Sequence, residues 1–324
     1  MTHSSCACLD NAIVAYLAHQ RALGRWYQNE ERHLKTLSRF VAAHAACDLT
    51  PELFSLWCNE LERLHANTRR HRELIVYKFC RFRRRREPRC FVPDPLLFAR
   101  AVPVRLPFIF GPAEIARLLA AADHLVPNGN SPLLPAVMRL AIILLYTAGL
   151  RRGELLRLTL ADIAANAGVL HIRESKFHKS RWVPLSADAH HELKRYLRQR
   201  LNGSWDARPG TPLLCNCARG LRGYTGTGLR ERLDTLFAII GLVDAQGRRP
   251  RVHDFRHSFA IQALLRWYRE GADLHSELPR LALYMGHVSI ASTAYYLKLV
   301  PAVASLASER FERGFADLLR EVRP

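Results

Sequence analysis

The chain has 324 residues, enough for two domains that each bury a core of their own. Its 49% hydrophobic content and regular apolar periodicity exclude a disordered chain, and its longest apolar run, AIILLYTAGL, is too short to span a bilayer. The balance of 48 Lys and Arg against 29 Asp and Glu, a formal net charge of +19, points to a polyanionic partner, nucleic acid before any other.

Residues 10–47 carry apolar side chains at helical spacing (Ile13, Leu17, Leu23, then Leu34, Leu37, Phe40 and Val41), with Gly24 as a break. Thr50-Pro51-Glu52 reads as a helix start, Thr as the cap and Pro at the first helical position, continued by LFSLWCNELERL. NTRRHRELIVYKFCRFRRRREPR then joins an amphipathic helix to a dense basic end. Arg69, Arg70, Arg72, Arg81, Arg83, Arg84, Arg85, Arg86 and Arg89 are expected to form a phosphate-tracking rim. Residues 1–90 are therefore expected to be a small helical bundle. Prolines 93, 95, 103 and 107, with Pro88 just ahead of them, mark residues 91–107 as an extended linker.

Beyond the linker, GPAEIARLLAAADHL is a helix with Pro at its start, and SPLLPAVMRLAIILLYTAGL a more buried one ending at Gly149. RRGELLRLTLADI reads as a third, short helix. GVLHIRES and RWVPL alternate as strands do, and KFHKS joins them as a β-hairpin. SADAHHELKRYLRQR opens with Ser186 as a cap and is amphipathic. After a loop with Pro209, Gly210 and Pro212 the chain reads as helical again from TGLRERLDTLFAII onward. The last segment, 302–322, reads as an amphipathic helix. The expected architecture of 108–324 is thus mainly α with a small β-sheet.

Eight cysteines are present, but neither Cys6/Cys8 nor Cys215/Cys217 has a second pair at zinc-ribbon spacing, so reduced thiols are expected. MTHSSCACLDN lacks the basic start and apolar run of a signal peptide, and a cytoplasmic location is expected.

The stretch from His253 to Tyr296 concentrates the chemistry. His253 and Arg256 stand three apart in RVHDFRHSFA, on one face of a helix. His287 follows the helix-stopping Gly286, and Tyr295 and Tyr296 lie on the next segment. A cation, two imidazoles and a phenol brought together suit the binding of a phosphodiester while a tyrosine attacks it. The rival pattern is zinc, because His253 and His257 have the spacing of an HExxH site. Asp254 stands where that site needs Glu, and Arg256 would set a positive charge beside the metal, so neither metal nor cofactor is expected.

YTAGLRRGELLRLTLADI, SKFHKSRWVPL, HDFRHSFA and MGHVSIASTAYY occur in this order and spacing over about residues 106–300. Together they resemble the motifs of the tyrosine recombinase (phage integrase) family. The resemblance implies a helical core-binding (SAM-like) bundle followed by an α+β catalytic domain. It implies that Arg151 and Arg256 are the arginine pair that holds the scissile phosphate, with Glu154 supporting them. Arg152 is the less suitable first arginine, since Glu154 then falls at the wrong offset. Lys176 aligns with the family's hairpin lysine, the acid for the leaving 5′-oxygen, with Lys179 as runner-up. His253 resembles the histidine that takes the phenolic proton, and His287 the second one, on the phosphate. His257 reads as structural. Tyr296, nine residues after His287, resembles the nucleophile, with Tyr295 the alternative.

The resemblance further implies double-stranded DNA as partner, a homotetramer on DNA through 302–322, and strand exchange without ATP or metal, with accessory recombinases and a mobile-element setting as possibilities. Two other readings stay open: a DNA-binding protein of this fold without catalysis, and a type IB topoisomerase-like enzyme.

Overall fold

The computed structural model describes residues 6–103, 105–164, 167–173, 180–202, 207–216 and 221–287, together with Thr293 and Tyr296. Lys176, Lys179, Tyr295 and the expected helix at 302–322 lie outside the described residues. The chain divides into two units, Met1–Arg105 and Leu106–Pro324.

In the first unit α1 (Cys6–Ala22) and α2 (Gln28–Ala43) are separated at Gly24, whose φ of +75° is the left-handed conformation that a glycine adopts without a Cβ penalty. The Thr50 hydroxyl accepts the Leu53 N–H at 3.2 Å and starts α3 (Pro51–Glu60) as its sequence indicates. α4 (Ala66–Arg84) closes the bundle, with Val76 and Phe79 fully buried against Leu34 and Leu37 of α2.

The basic end of α4 departs from expectation at one arginine. Arg83 is not on the rim: its side chain is 3% exposed, forked onto Asp48 at 2.6 and 2.9 Å and bonded to Glu87 at 2.6 Å. Helical period explains this, because Val76, Phe79, Cys80 and Arg83 fall on the inward face. Arg81, Arg84, Arg85, Arg86 and Arg89 are exposed, while Arg69, Arg70 and Arg72 are half-buried.

The proline-rich stretch is not extended throughout, since Asp94 caps a single 3-10 turn at Pro95–Leu97, and it is not free. Phe98 is buried in the bundle's core. Three side chains of α4 at successive turns grip the backbone beyond it. Glu73 accepts from the Ala99 N–H at 2.9 Å, and Arg70 donates to the Ala99 carbonyl at 3.1 Å. The Asn67 amide bonds both the N–H and the carbonyl of Val102, at 2.8 and 2.9 Å. A strip of chain with no strand partner thereby satisfies its backbone on a helix.

The second unit is built round α6 (Leu134–Thr147), apolar on nearly every face and accordingly buried: Val137, Met138, Ala141, Ile142, Leu144 and Leu145 expose nothing. α5 (Pro112–Asp123), α8 (Ala187–Leu201) and α10 (Val252–Arg269) pack on it. α7 (Arg152–Arg157) is shorter than RRGELLRLTLADI suggested. The Thr159 N–H and hydroxyl both donate to the Asp162 carboxylate, at 2.9 and 2.8 Å, and turn the chain there.

The turn leads into β1 (Ile163–Ala164), an extra strand that pairs with β2 (Val169–Ile172). β2 pairs antiparallel with β3 (Arg181–Pro184), as the alternation indicated, with His171 opposite Trp182 and their rings stacked at 4.2 Å. A second, unforeseen ribbon joins β4 (Cys215–Asn216) to β5 (Arg222–Gly223). α9 (Gly226–Ile239) and α11 (Leu274–Met285) are the remaining helices among the described residues of the unit, which is mainly helical with small sheets.

Candidate active site

The ends of two helices and the starts of two others make the site. α6 stops at Gly149, with φ +57°, where a Cβ would sit 2.4 Å from the Phe259 ring. The carbonyl left there accepts from Arg256 Nη1 at 2.6 Å. Gly149→Ala is therefore expected to lower stability by about 2 kcal/mol or more, from left-handed strain plus the ring clash. A thermal melt of the purified variant checks this; an unchanged Tm would show that the turn relaxes freely.

α7 begins immediately afterwards. Glu154, in its first turn, folds back to accept the Arg151 N–H at 2.9 Å and Arg151 Nη1 at 2.7 Å. Arg152 faces away toward Gly226 and is exposed. Of the two adjacent arginines, only Arg151 enters the cluster. The Glu154 side chain is 1% exposed, with Arg256 Nη1 4.0 Å away. Burial pushes its carboxyl up, but the hydrogen bonds and charge of Arg181, then Arg151, outweigh that and hold it at about 2.

α11 ends in a Schellman turn. The Gly286 N–H donates to the Leu283 carbonyl at 3.0 Å, the His287 N–H donates to that of Ala282 at 2.8 Å, and Gly286 has φ +67°. Three consecutive carbonyls remain at this negative helix end. The Tyr284 carbonyl accepts from Arg181 Nε at 2.7 Å, Met285 from Arg256 Nη2 at 2.6 Å and Gly286 from Arg151 Nη2 at 2.8 Å. Three guanidiniums and one carboxylate thus converge on one turn.

His287 leaves that turn half-buried, its Nδ1 2.7 Å from the Thr293 hydroxyl. Its ring centroid is 6.3 Å from that of Tyr296, and His257 lies 5.5 Å from the same phenol. His253 is 4.6 Å from His257, edge to face, and open to solvent at the start of α10. Burial, then the charges of Arg256 and Arg151, lowers His287 to about 4. Desolvation, then His257 and Arg256, lowers His253 to about 4 as well; that direction holds despite its open edge, since cations surround it. Both rings are therefore neutral at pH 7. Burial, then the Arg151 charge, lowers Arg256 to about 9, which leaves it cationic at pH 7.

The geometry gathers Arg151, Glu154, His253, Arg256, His287 and Tyr296, all singled out by sequence, and adds His257, Thr293 and Arg181. Arg256 is 1% and Tyr296 3% exposed, the phenol packed in a cluster with Ile261, Leu264, Leu281 and Met285. Neutral imidazoles beside fixed cations and a phenol can bind an anion and move a proton.

A model of the phage integrase family matches residues 110–302, the stretch that holds every one of these groups. The chain belongs to the phage integrase family. A Sinorhizobium fredii protein named as an integrase/recombinase, y4rB, is 33% identical over 94% of this chain and 98% of its own. The tyrosine recombinase XerD of Ralstonia nicotianae is 27% identical over 77% of this chain and 75% of its own. Among solved structures, the Tn1549 transposon integrase in complex with transposon right end DNA matches with TM-score 0.66 at 16% identity. That match covers 96% of this chain and 99% of the integrase, a likeness of fold. The activity class of this family member is that of the tyrosine recombinases. No described helix is long and apolar enough to cross a membrane.

Proposed function

We propose that the chain is a site-specific DNA recombinase that cuts and rejoins double-stranded DNA through a 3′-phosphotyrosyl intermediate. The observation that carries this reading is the convergence of Arg151, Arg256 and His287 on the Gly286 turn, beside the Tyr296 ring. Two guanidiniums grip the non-bridging oxygens of the scissile phosphate and offset the charge gained in the transition state. The Tyr296 oxygen attacks phosphorus and its proton passes to His253; the bond to the 5′-oxygen breaks, and that oxygen takes a proton from Lys176. The phosphotyrosyl bond keeps the energy of the phosphodiester, so rejoining needs neither ATP nor metal.

The exposed arginines at 81, 84, 85, 86 and 89 track the DNA backbone from the first unit, and the second unit carries the chemistry. The working assembly is a homotetramer on DNA joined through 302–322, with accessory recombinases where the element requires them. The setting is the cytoplasm, and the substrate class is mobile-element ends, in line with the transposon-end DNA named for the Tn1549 integrase.

Incubation with sheared source DNA, detergent denaturation and sequencing of protein-bound ends tests this reading. Adducts clustered on one sequence are expected. Scattered adducts favour a topoisomerase-like enzyme, and tight binding without adducts a DNA-binding protein. With the target in hand, Lys176→Ala is expected to slow cleavage on the order of a hundredfold or more. A substrate with sulfur at the 5′-bridging position should recover most of that rate, because a thiolate leaves without a proton. Absence of recovery assigns the acid elsewhere, Lys179 first.

A further inference from the structure

Arg181, the first residue of β3, is absent from the set that the motifs single out, yet it makes three hydrogen bonds within the site. Nη1 and Nη2 donate to the two oxygens of Glu154 at 3.0 Å each, and Nε donates to the Tyr284 carbonyl at 2.7 Å. The side chain is 9% exposed, and its guanidinium lies within 3.2 Å of where a Cβ on Gly286 would stand. One planar group therefore ties β3, the first turn of α7 and the last turn of α11 together.

Removing it would loosen two things at once. Glu154 would keep Arg151 but lose the fork that sets the plane of its carboxylate between Arg151 and Arg256. The end of α11 would lose one of its three guanidinium donors, next to the turn that aims His287. The close approach to Gly286 also explains why that position has no room for a larger residue.

We propose that Arg181 is a positioning residue for strand cleavage, holding Glu154 and the Gly286–His287 turn in register while making no contact with the phosphate itself. The proposal rests on the recombinase reading above. Lysine cannot replace it: an ammonium is a single point of contact, whereas this place uses three directions of one rigid plane.

The test uses the full chain and the DNA end recovered by adduct capture. Arg181→Gln and Arg181→Lys are each expected to cut the single-turnover cleavage rate by about a hundredfold, the scale of a misplaced reacting group. DNA affinity should change by less than about threefold, because the residue touches no DNA. Glu154→Gln combined with Arg181→Gln should be no slower than the slower single variant, as expected of residues acting as one unit. A wild-type cleavage rate in either Arg181 variant overturns the proposal, as do losses that multiply in the double variant or a fall in affinity that accounts for the lost rate.

Wild-type protein that forms no adduct defeats the recombinase reading instead. A second readout then still decides the role of Arg181: NMR of histidine-labelled chain. The His287 ring faces Arg151, Arg181, Arg256 and His253, and titrates far below 6.5. In Arg181→Gln its resonances should move and its midpoint rise toward 6.5. An unmoved His287 in a folded variant overturns the positioning role.

Discussion

Tyr296→Phe is expected to bind target DNA within about twofold of wild type and to form no covalent adduct, a loss on the order of 10⁴-fold or more. The phenol ring is 3% exposed and packed with Ile261, Leu264 and Met285, and phenylalanine keeps every one of those contacts. Loss of the hydroxyl should therefore cost no more than about 1 kcal/mol of stability, so the fold and the DNA surface survive. Detergent-resistant DNA–protein complexes, counted on a gel beside filter-binding of the same samples, measure both quantities. Tyr295→Phe run in parallel should retain adduct formation. Adducts at wild-type level from Tyr296→Phe would remove Tyr296 as nucleophile and move the assignment to Tyr295.

What the sequence makes legible is local. Gly149 and Gly286 announce helix ends because only a left-handed residue continues the chain there, and both have positive φ. Glu154 three residues after Arg151 fits the family pattern that prefers that arginine to Arg152, and in the fold this first-turn acid folds back on the helix start. Other features were hidden for physical reasons. β1, β4 and β5 are two residues each, below any periodicity. Arg83 hid inside a basic run, although its spacing from Val76, Phe79 and Cys80 already placed it inward.

Arg181 reads as an ordinary strand residue, and its partner Tyr284 lies 103 positions away. Only the folded chain brings a strand start to a helix end. The bond between Thr293 and His287 is illegible for a different reason: a threonine among small and apolar residues carries no mark of its partner.

The electrostatics of the site make Glu154 the second residue with a large expected effect. Arg151, Arg181 and Arg256 bring three positive charges to a nearly dry turn, and Glu154 supplies the neighbouring negative charge that the geometry shows among them. Glu154→Gln keeps the size of the side chain but turns an amide N–H₂ toward donors and leaves the guanidiniums unneutralised. Breaking a buried pair in this way costs about 3–5 kcal/mol.

An independent route gives a similar figure. The folded carboxyl sits at about 2 against an ordinary 4.5, and a difference of that size is worth roughly 3 kcal/mol at neutral pH. The sign follows from the depressed value: this stability is fully present above pH 4.5 and fades as pH falls toward 2. At pH 7 the variant should melt on the order of 6–12 °C below wild type. The gap between the two should close as pH falls from 4.5 toward 2, because wild type then loses the same charge. Paired thermal melts across that range decide the matter. A gap that is small at pH 7, or that stays constant in acid, would mean that the arginines are neutralised by something other than Glu154. On the proposed recombinase reading, cleavage should fall with stability but further than stability explains, since Arg151 and Arg256 lose the carboxylate beside them.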